Sequence, residues 1–222
     1  MKKNRPMIWS ARHSLVSAMA AMLLVVSQWA AAEQKPASAA LDKEGPEYVV
    51  QTVTDQLLSL AKDDTAELKK DPEAFYGKVE SLLEPSVSFD FIAKNVMGPT
   101  YWEQANEKQQ EQFVATFKRS LVETLVKGMA SNVDLDIQLV SEQSQVLKNK
   151  ASIVQKVSGP EGSNLVVYSL GKGKSGSWKV LNVVLDGVNL GKTFRSQFAQ
   201  GVKDNKGDLQ AAIEGWSAQT KG

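Results

Sequence analysis

No cysteine occurs in the 222-residue chain, and its single histidine, His13, lies near the N-terminus. The first absence excludes disulfides, thiolate nucleophiles, thiolate metal ligands and an acceptor thiol for a lipid anchor. Long hydrophobic runs are missing too. Residues 15–26 are apolar but too few to span a bilayer. They follow Lys2, Lys3, Arg5 and Arg12 with no acid between, and lead to Ala30, Ala31 and Ala32. A basic start, a short apolar core and small residues at the cleavage position describe a secretory signal peptide, residues 1–32, expected to be cut after Ala32. The alternative is an uncleaved signal anchor. Cleavage removes 32 of 222 residues, four of the 26 basic residues and none of the 25 acids, leaving 190 residues with a net charge of −3 and no histidine.

A domain with neither His nor Cys has no Ser-His-Asp or Cys-His chemistry, no imidazole base and almost no means of holding zinc or copper. Mild acidity argues against nucleic acid, which needs a basic footprint. With 42% hydrophobic and 23% charged residues, the chain suits one globular domain.

Residues 33–46 are rich in Ala, Pro, Ser and charge and read as a disordered mature N-terminus. Helical spacing begins at Tyr48, with Val49, Val53, Leu57 and Leu60 on one face. Asp71, Pro72 and Glu73 mark a second helix start, Phe75, Val79, Leu82 and Leu83 give its stripe, and Pro85 its end. A third, short helix starts near Ser88 and is expected to end at Gly98, after which Pro99 and Thr100 turn the chain toward Tyr101 and Trp102. Asn106 and Gln109 form a capping-box pattern at the head of the longest helix. Its apolar stripe (Phe113, Val114, Phe117, Leu121, Val122, Leu125, Val126, Met129) is wide enough to require a large apolar neighbour.

The period then changes to two. Leu135, Ile137 and Leu139 alternate with polar residues, followed by segments at 146–157, 165–170 and 178–185, an antiparallel meander of four strands. Val183, Val184 and Leu185 are apolar on both faces, which predicts a strand that is central or covered on both sides. Two helices close the chain, one with Phe194 and Phe198, the other following Asp208. Helices, meander, helices make an α+β fold with helices on one face of a curved antiparallel sheet.

Gly171, Gly173 and Gly176 fit a dinucleotide fingerprint by letter, and Gly173-Lys174-Ser175 resembles the end of a P-loop. Both need a helix to follow, whereas Trp178, Lys179 and Val180 continue as a strand, so the segment reads as a hairpin turn. Asp63 with Asp64, and Asp134 with Asp136, are carboxylate pairs that read as solvated surface rather than an acidic metal site. Arg195, between Phe194 and Phe198, is expected to tie its helix to the sheet by hydrogen bonds, a direct ligand contact being the alternative. No catalytic residue, metal site or cofactor is predicted.

Five segments in order carry a resemblance: Phe89 to Trp102 (FDFIAKNVMGPTYW), Phe113-x3-Phe117-x3-Leu121, Trp178-Lys-Val180, Asp186-Gly187-Val188-Asn189-Leu190, and Phe194-Arg195-Ser-Gln-Phe198. Together, over residues 48–216, the chain resembles the MlaC family, also called toluene-tolerance proteins. It departs from the family pattern at Leu125, at Asn182 and at Asn189, where Tyr, Asp and Ser are usual. The resemblance implies an NTF2-like fold over residues 47–219 enclosing an apolar cavity, with phospholipid as bound cargo. It implies a periplasmic carrier whose partners are an outer-membrane lipoprotein-porin complex and an inner-membrane ABC transporter with an MCE-type subunit. The lining then falls to Val96, Met97, Tyr101 and Trp102, to Phe117, Leu121, Leu125 and Met129 of the long helix, and to Phe194 and Phe198. From the sheet come Leu135, Ile137, Leu139, Val154, Val166, Tyr168, Val183, Leu185 and Val188. The competing expectations are an NTF2-like periplasmic enzyme using Tyr168 with Asp136, and a lipoprotein chaperone.

Overall fold

The computed structural model describes residues 41–63, 65–131, 135–160 and 162–219. The signal peptide, most of the segment before residue 47, and Asp64 and Asp134 lie outside these, as do the side chains of Asp63 and Met129. Asp42 to Gly45 form a turn, closed by the Gly45 N–H on the Asp42 carbonyl at 2.7 Å, that leads into the first helix.

Seven helices and six strands follow: α1 (Pro46–Asp63), α2 (Thr65–Lys70), α3 (Pro72–Leu83), α4 (Phe89–Gln104), α5 (Glu107–Ser131), β1 (Asp136–Leu139), β2 (Gln145–Val146), β3 (Lys150–Gly159), β4 (Gly162–Lys172), β5 (Trp178–Leu185), β6 (Val188–Asn189), α6 (Leu190–Asp204) and α7 (Leu209–Gln219). The start signals act as their chemistry requires. The Asp71 carboxylate accepts from the Ala74 N–H, with Pro72 in the first turn of α3. Ahead of α5, Asn106 and Gln109 exchange side chain-to-backbone bonds of 3.0 and 3.1 Å.

Gly98 ends a helical segment at φ 79°, as its position predicts, but α4 resumes at once with Pro99 as the first residue of the new turn. The turn expected at Pro99 is therefore a kink. Pro99 has no N–H for the Asn95 carbonyl, and Arg195 of α6 supplies the donor: its Nε reaches that carbonyl at 2.5 Å. Arg195 thus ties α6 to α4, not to the sheet.

The sheet is antiparallel, in the order β1-β3-β4-β5-β6, with β2 also paired to β3. Register sets its two faces. Ala151, Ile153 and Gln155 stand opposite Leu170, Tyr168 and Val166, which in turn stand opposite Val180, Val183 and Leu185. Helix α1 lies on this face: Val50 packs with Ala151, Ile153 and Leu170, and Thr54 hydrogen-bonds the fully buried Gln155.

The long helix packs against two groups of neighbours. Its first half puts Phe113 and Phe117 into a cluster with Val96 and Met97 of α4, Phe198 of α6 and Trp216 of α7. Its second half sets Val122 and Val126 against Phe75, Val79 and Leu83 of α3 and Val53, Leu57 and Leu60 of α1. That division accounts for the width of the stripe. Among the described residues no helix is long and apolar enough to cross a membrane.

Candidate functional site

The helix-facing sheet surface forms successive rungs of side chains, each crossing neighbouring strands. Toward the β4–β5 turn, Ala151, Leu170 and Val180 are buried. One rung further along, Ile153 is buried while Tyr168 and Val183 are half-buried. The next rung runs Leu139, Gln155, Val166, Leu185, Val188, and here Leu185 is 40% and Val188 53% exposed. The apolar surface therefore runs from the core out to an open rim. Asp186 (φ 47°) and Gly187 (φ 81°) make the tight turn that folds Val188 back beside Leu185. Leu135 and Ile137, both half-buried, continue this edge on and before β1.

The rungs carry no ionised side chain. Tyr168 is their one titratable group, and burial pushes its phenol up to about 12. At the rim, the Asn164 amide and then the Leu165 N–H hold the exposed Asp186 carboxyl below the usual carboxylate range.

The predicted lining residues divide. Leu139, Val166, Tyr168, Val183, Leu185 and Val188 share this one surface. Val154 does not, because register sets it opposite Val167 on the other face, although it is buried. β5 lies between β4 and β6 in the sheet, one of the two expected placements, although its Leu185 is open to solvent. Val96, Met97, Phe117 and Phe198 are fully buried in the α4–α7 cluster, where Phe113, Phe117, Phe198 and Trp216 have ring centroids 4.7–6.1 Å apart. These are packed core. Tyr101, Leu121 and Phe194 pack against that cluster, and Leu125 packs with α3. Trp102 also lines an outer groove of 610 Å³ between α4 and α5, together with Asp90, Phe91, Lys94 and Val114. That groove is separate from the sheet surface and open to solvent.

Asp136 and Tyr168, the enzyme alternative, lie on opposite faces, since Asp136 pairs with Ser158 and Tyr168 with Ile153. Among the described residues no cluster of three or more acids could hold a metal. The glycine-lysine segment is the β4–β5 turn, closed by the Gly173 N–H on the Ser177 carbonyl at 2.9 Å.

Two functional positions were missed by the periodicity. Asn182 accepts from the Gly191 N–H at 3.1 Å and Asn189 from the Lys192 N–H at 3.0 Å, so both satisfy the N-terminus of α6. Asn in place of Asp or Ser keeps that capping ability. For Asn189 the signal was present, an Asn directly ahead of a helix; Asn182 lies within β5 and reaches α6 across the fold. A Cβ on Gly191 would come within 2.6 Å of the Asn182 oxygen, so a larger residue there would push the Asn182 amide off the Gly191 N–H.

Comparison with known proteins adds three findings. The family model described as MlaC protein matches residues 51–218. The toluene tolerance protein ttg2D of Pseudomonas putida is 34% identical over 174 residues, covering 78% of this chain and 80% of that one. A solved phospholipid-binding protein from Ralstonia solanacearum, in complex with a phospholipid, superposes with a TM-score of 0.67 at 22% identity, covering 80% of this chain and 99% of that chain.

Proposed function

This chain belongs to the MlaC family, and on that premise we propose that it is a periplasmic carrier of diacyl phospholipid. Its signal peptide, residues 1–32, is removed on export, and residues 47–219 hold the lipid. It passes cargo between an outer-membrane lipoprotein-porin complex and an inner-membrane ABC transporter with an MCE-type subunit, maintaining outer-membrane lipid asymmetry.

The observation that carries this reading is the run of apolar rungs from buried Leu170 and Val180, past Tyr168 and Val183, to exposed Leu185 and Val188. An acyl chain laid along it covers surface that the protein leaves to water. The phospholipid seen with the Ralstonia solanacearum protein, whose fold this chain shares, supports the same cargo.

The energetics suit carriage. Two acyl chains of about 16 carbons expose roughly 30 methylenes, at about 0.8 kcal/mol each. That is on the order of 20–25 kcal/mol, at or beyond the ceiling of non-covalent affinity. Bare lipid does not cross water at a useful rate, and held lipid leaves only when a partner offers an apolar path.

The test is extraction of the purified, exported protein with organic solvent, followed by mass spectrometry. Stoichiometric diacyl phospholipid with mixed head groups is expected. Protein free of lipid would refute the reading, and lipidated polypeptide in its place would favour a lipoprotein chaperone.

A further inference from the structure

Two turns meet at the end of the sheet opposite the Val166–Leu185–Val188 rim. One joins β2 to β3 and is closed by the Leu147 N–H on the Lys150 carbonyl at 2.8 Å; the other is the β4–β5 turn. The Lys172 N–H donates to the Asn149 carbonyl at 3.0 Å and ties them together. Register confirms the shared end: Lys150 stands opposite Gly171, and Gly171 opposite Lys179. From Val166 to Lys172 along β4 is about 20 Å at the rise of a strand.

Lys148, Lys150, Lys172, Lys174 and Lys179 come together at this tip. Residues 144–179 contain six lysines and a single acid, Glu161, which in sequence falls between β3 and β4. Among the described residues none of the five tip lysines is ion-paired. Lys172 lies over the Trp178 ring at 5.6 Å, and the Lys179 Nζ donates to the Glu84 carbonyl at 3.2 Å. Between these cations Val146 and Leu147 are 52% and 62% exposed. On a chain expected to be acidic after processing, this concentration of positive charge is local.

Aliphatic side chains surrounded by unpaired ammonium groups match the chemistry of an anionic bilayer surface. The lysines meet phosphates and the apolar pair enters the headgroup boundary. A specific protein interface needs roughly 800 Å² per partner, more than two turns present, whereas a bilayer adapts to a small tip. We propose that this tip docks the protein on anionic phospholipid membranes, with the opposite rim left free. The docking does not depend on bound cargo.

The experiment is flotation of the processed protein with vesicles of phosphatidylcholine alone, and of phosphatidylcholine mixed with phosphatidylglycerol, at low and high salt. Binding is expected only to the anionic vesicles, with loss at high salt. At about fivefold per lysine, K148Q/K172Q/K174Q weakens it on the order of 100-fold. V146S/L147S weakens it about tenfold. K108Q/K192Q/K203Q removes three charges elsewhere and leaves binding intact, and thermal unfolding checks that each variant is folded. The proposal is overturned if the protein does not float with anionic vesicles, or if the control loses as much binding as the tip variant. It is also overturned if the tip variants still float but no longer bind the MCE-type subunit, which would make the tip a protein interface. Lipid content measured on the same samples separates this from the carrier reading. Loaded protein that does not float removes only the docking, and empty protein that floats removes only the carriage.

Discussion

Serine at both Leu185 and Val188 separates a lipid site on the open rim from one within the helical cluster. The two side chains face each other across β5 and β6 and remain 40% and 53% exposed. Full burial of such a side chain is worth about 1.5–3 kcal/mol. With about half of each still uncovered, an acyl chain lying over both gains roughly 2 kcal/mol from them. That corresponds to about 30-fold in affinity. The folding cost is of the same order, about 2 kcal/mol, because the fold already buries the other half of each. Phe117→Ala is the opposite case: Phe117 is fully buried beside Phe113 and Trp216, and its truncation costs about 3–5 kcal/mol. Each variant is mixed with an equal amount of delipidated parent and limiting phospholipid, and native mass spectrometry reads the partition. Stability is compared by urea unfolding of delipidated proteins, since bound lipid itself stabilises the folded state. The rim variant should lose lipid to the parent about 30 to 1 while costing less stability than Phe117→Ala. Phe117→Ala should unfold early yet compete evenly while folded. Even competition by the rim variant, together with an empty Phe117→Ala protein, would move the site into the α4–α7 cluster and refute the reasoning.

Three further outcomes are expected. Tyr168 ionises near 12 when folded but near 10 when unfolded, so stability should hold below 10 and fall as pH rises through 12; alkaline unfolding of Tyr168→Phe should lack that loss. Thr54→Val strands the buried Gln155 amide and should cost about 1–3 kcal/mol, whereas Thr54→Val with Gln155→Leu should cost less than the single change, as a urea-unfolding cycle would reveal. Arg195→Met leaves the Asn95 carbonyl at the Gly98–Pro99 kink without its donor and should cost about 1 kcal/mol, visible as faster hydrogen exchange in residues 99–104.

Local chemistry made much of this fold legible. Asp71 with Pro72, Asn106 with Gln109, and the change of period after α5 each report a choice made within a few residues. What escaped was decided at long range. Ile153 and Val154 are equally apolar neighbours, and only pairing with Tyr168 and Val167 assigns them to opposite faces. Gly98 gives every local sign of a helix end, and the donor that lets the helix resume lies on Arg195. An apolar stripe does not distinguish a solid cluster from an open surface. Phe117 and Phe198 became core because α7 brings Trp216 against them, whereas Leu185 and Val188 stay open at the rim. The Asn189 cap was readable as an Asn directly before a helix, whereas Asn182, within β5, meets the Gly191 N–H only through the fold.

The edges of the sheet bear on self-association. A strand with unpaired N–H and C=O groups recruits other chains, and the hazard grows when apolar side chains lie beside it. Here neither edge offers a long template. Beyond β3 the partner is divided into β1 and β2, with a 3-10 turn at Ser141–Gln143 between them. On the other side, residues 86–88 exchange hydrogen bonds of 2.8 and 3.0 Å with Val180, and β6 covers Val184 and Leu185. The molecule can therefore leave an apolar rim exposed without inviting fibre-like self-assembly.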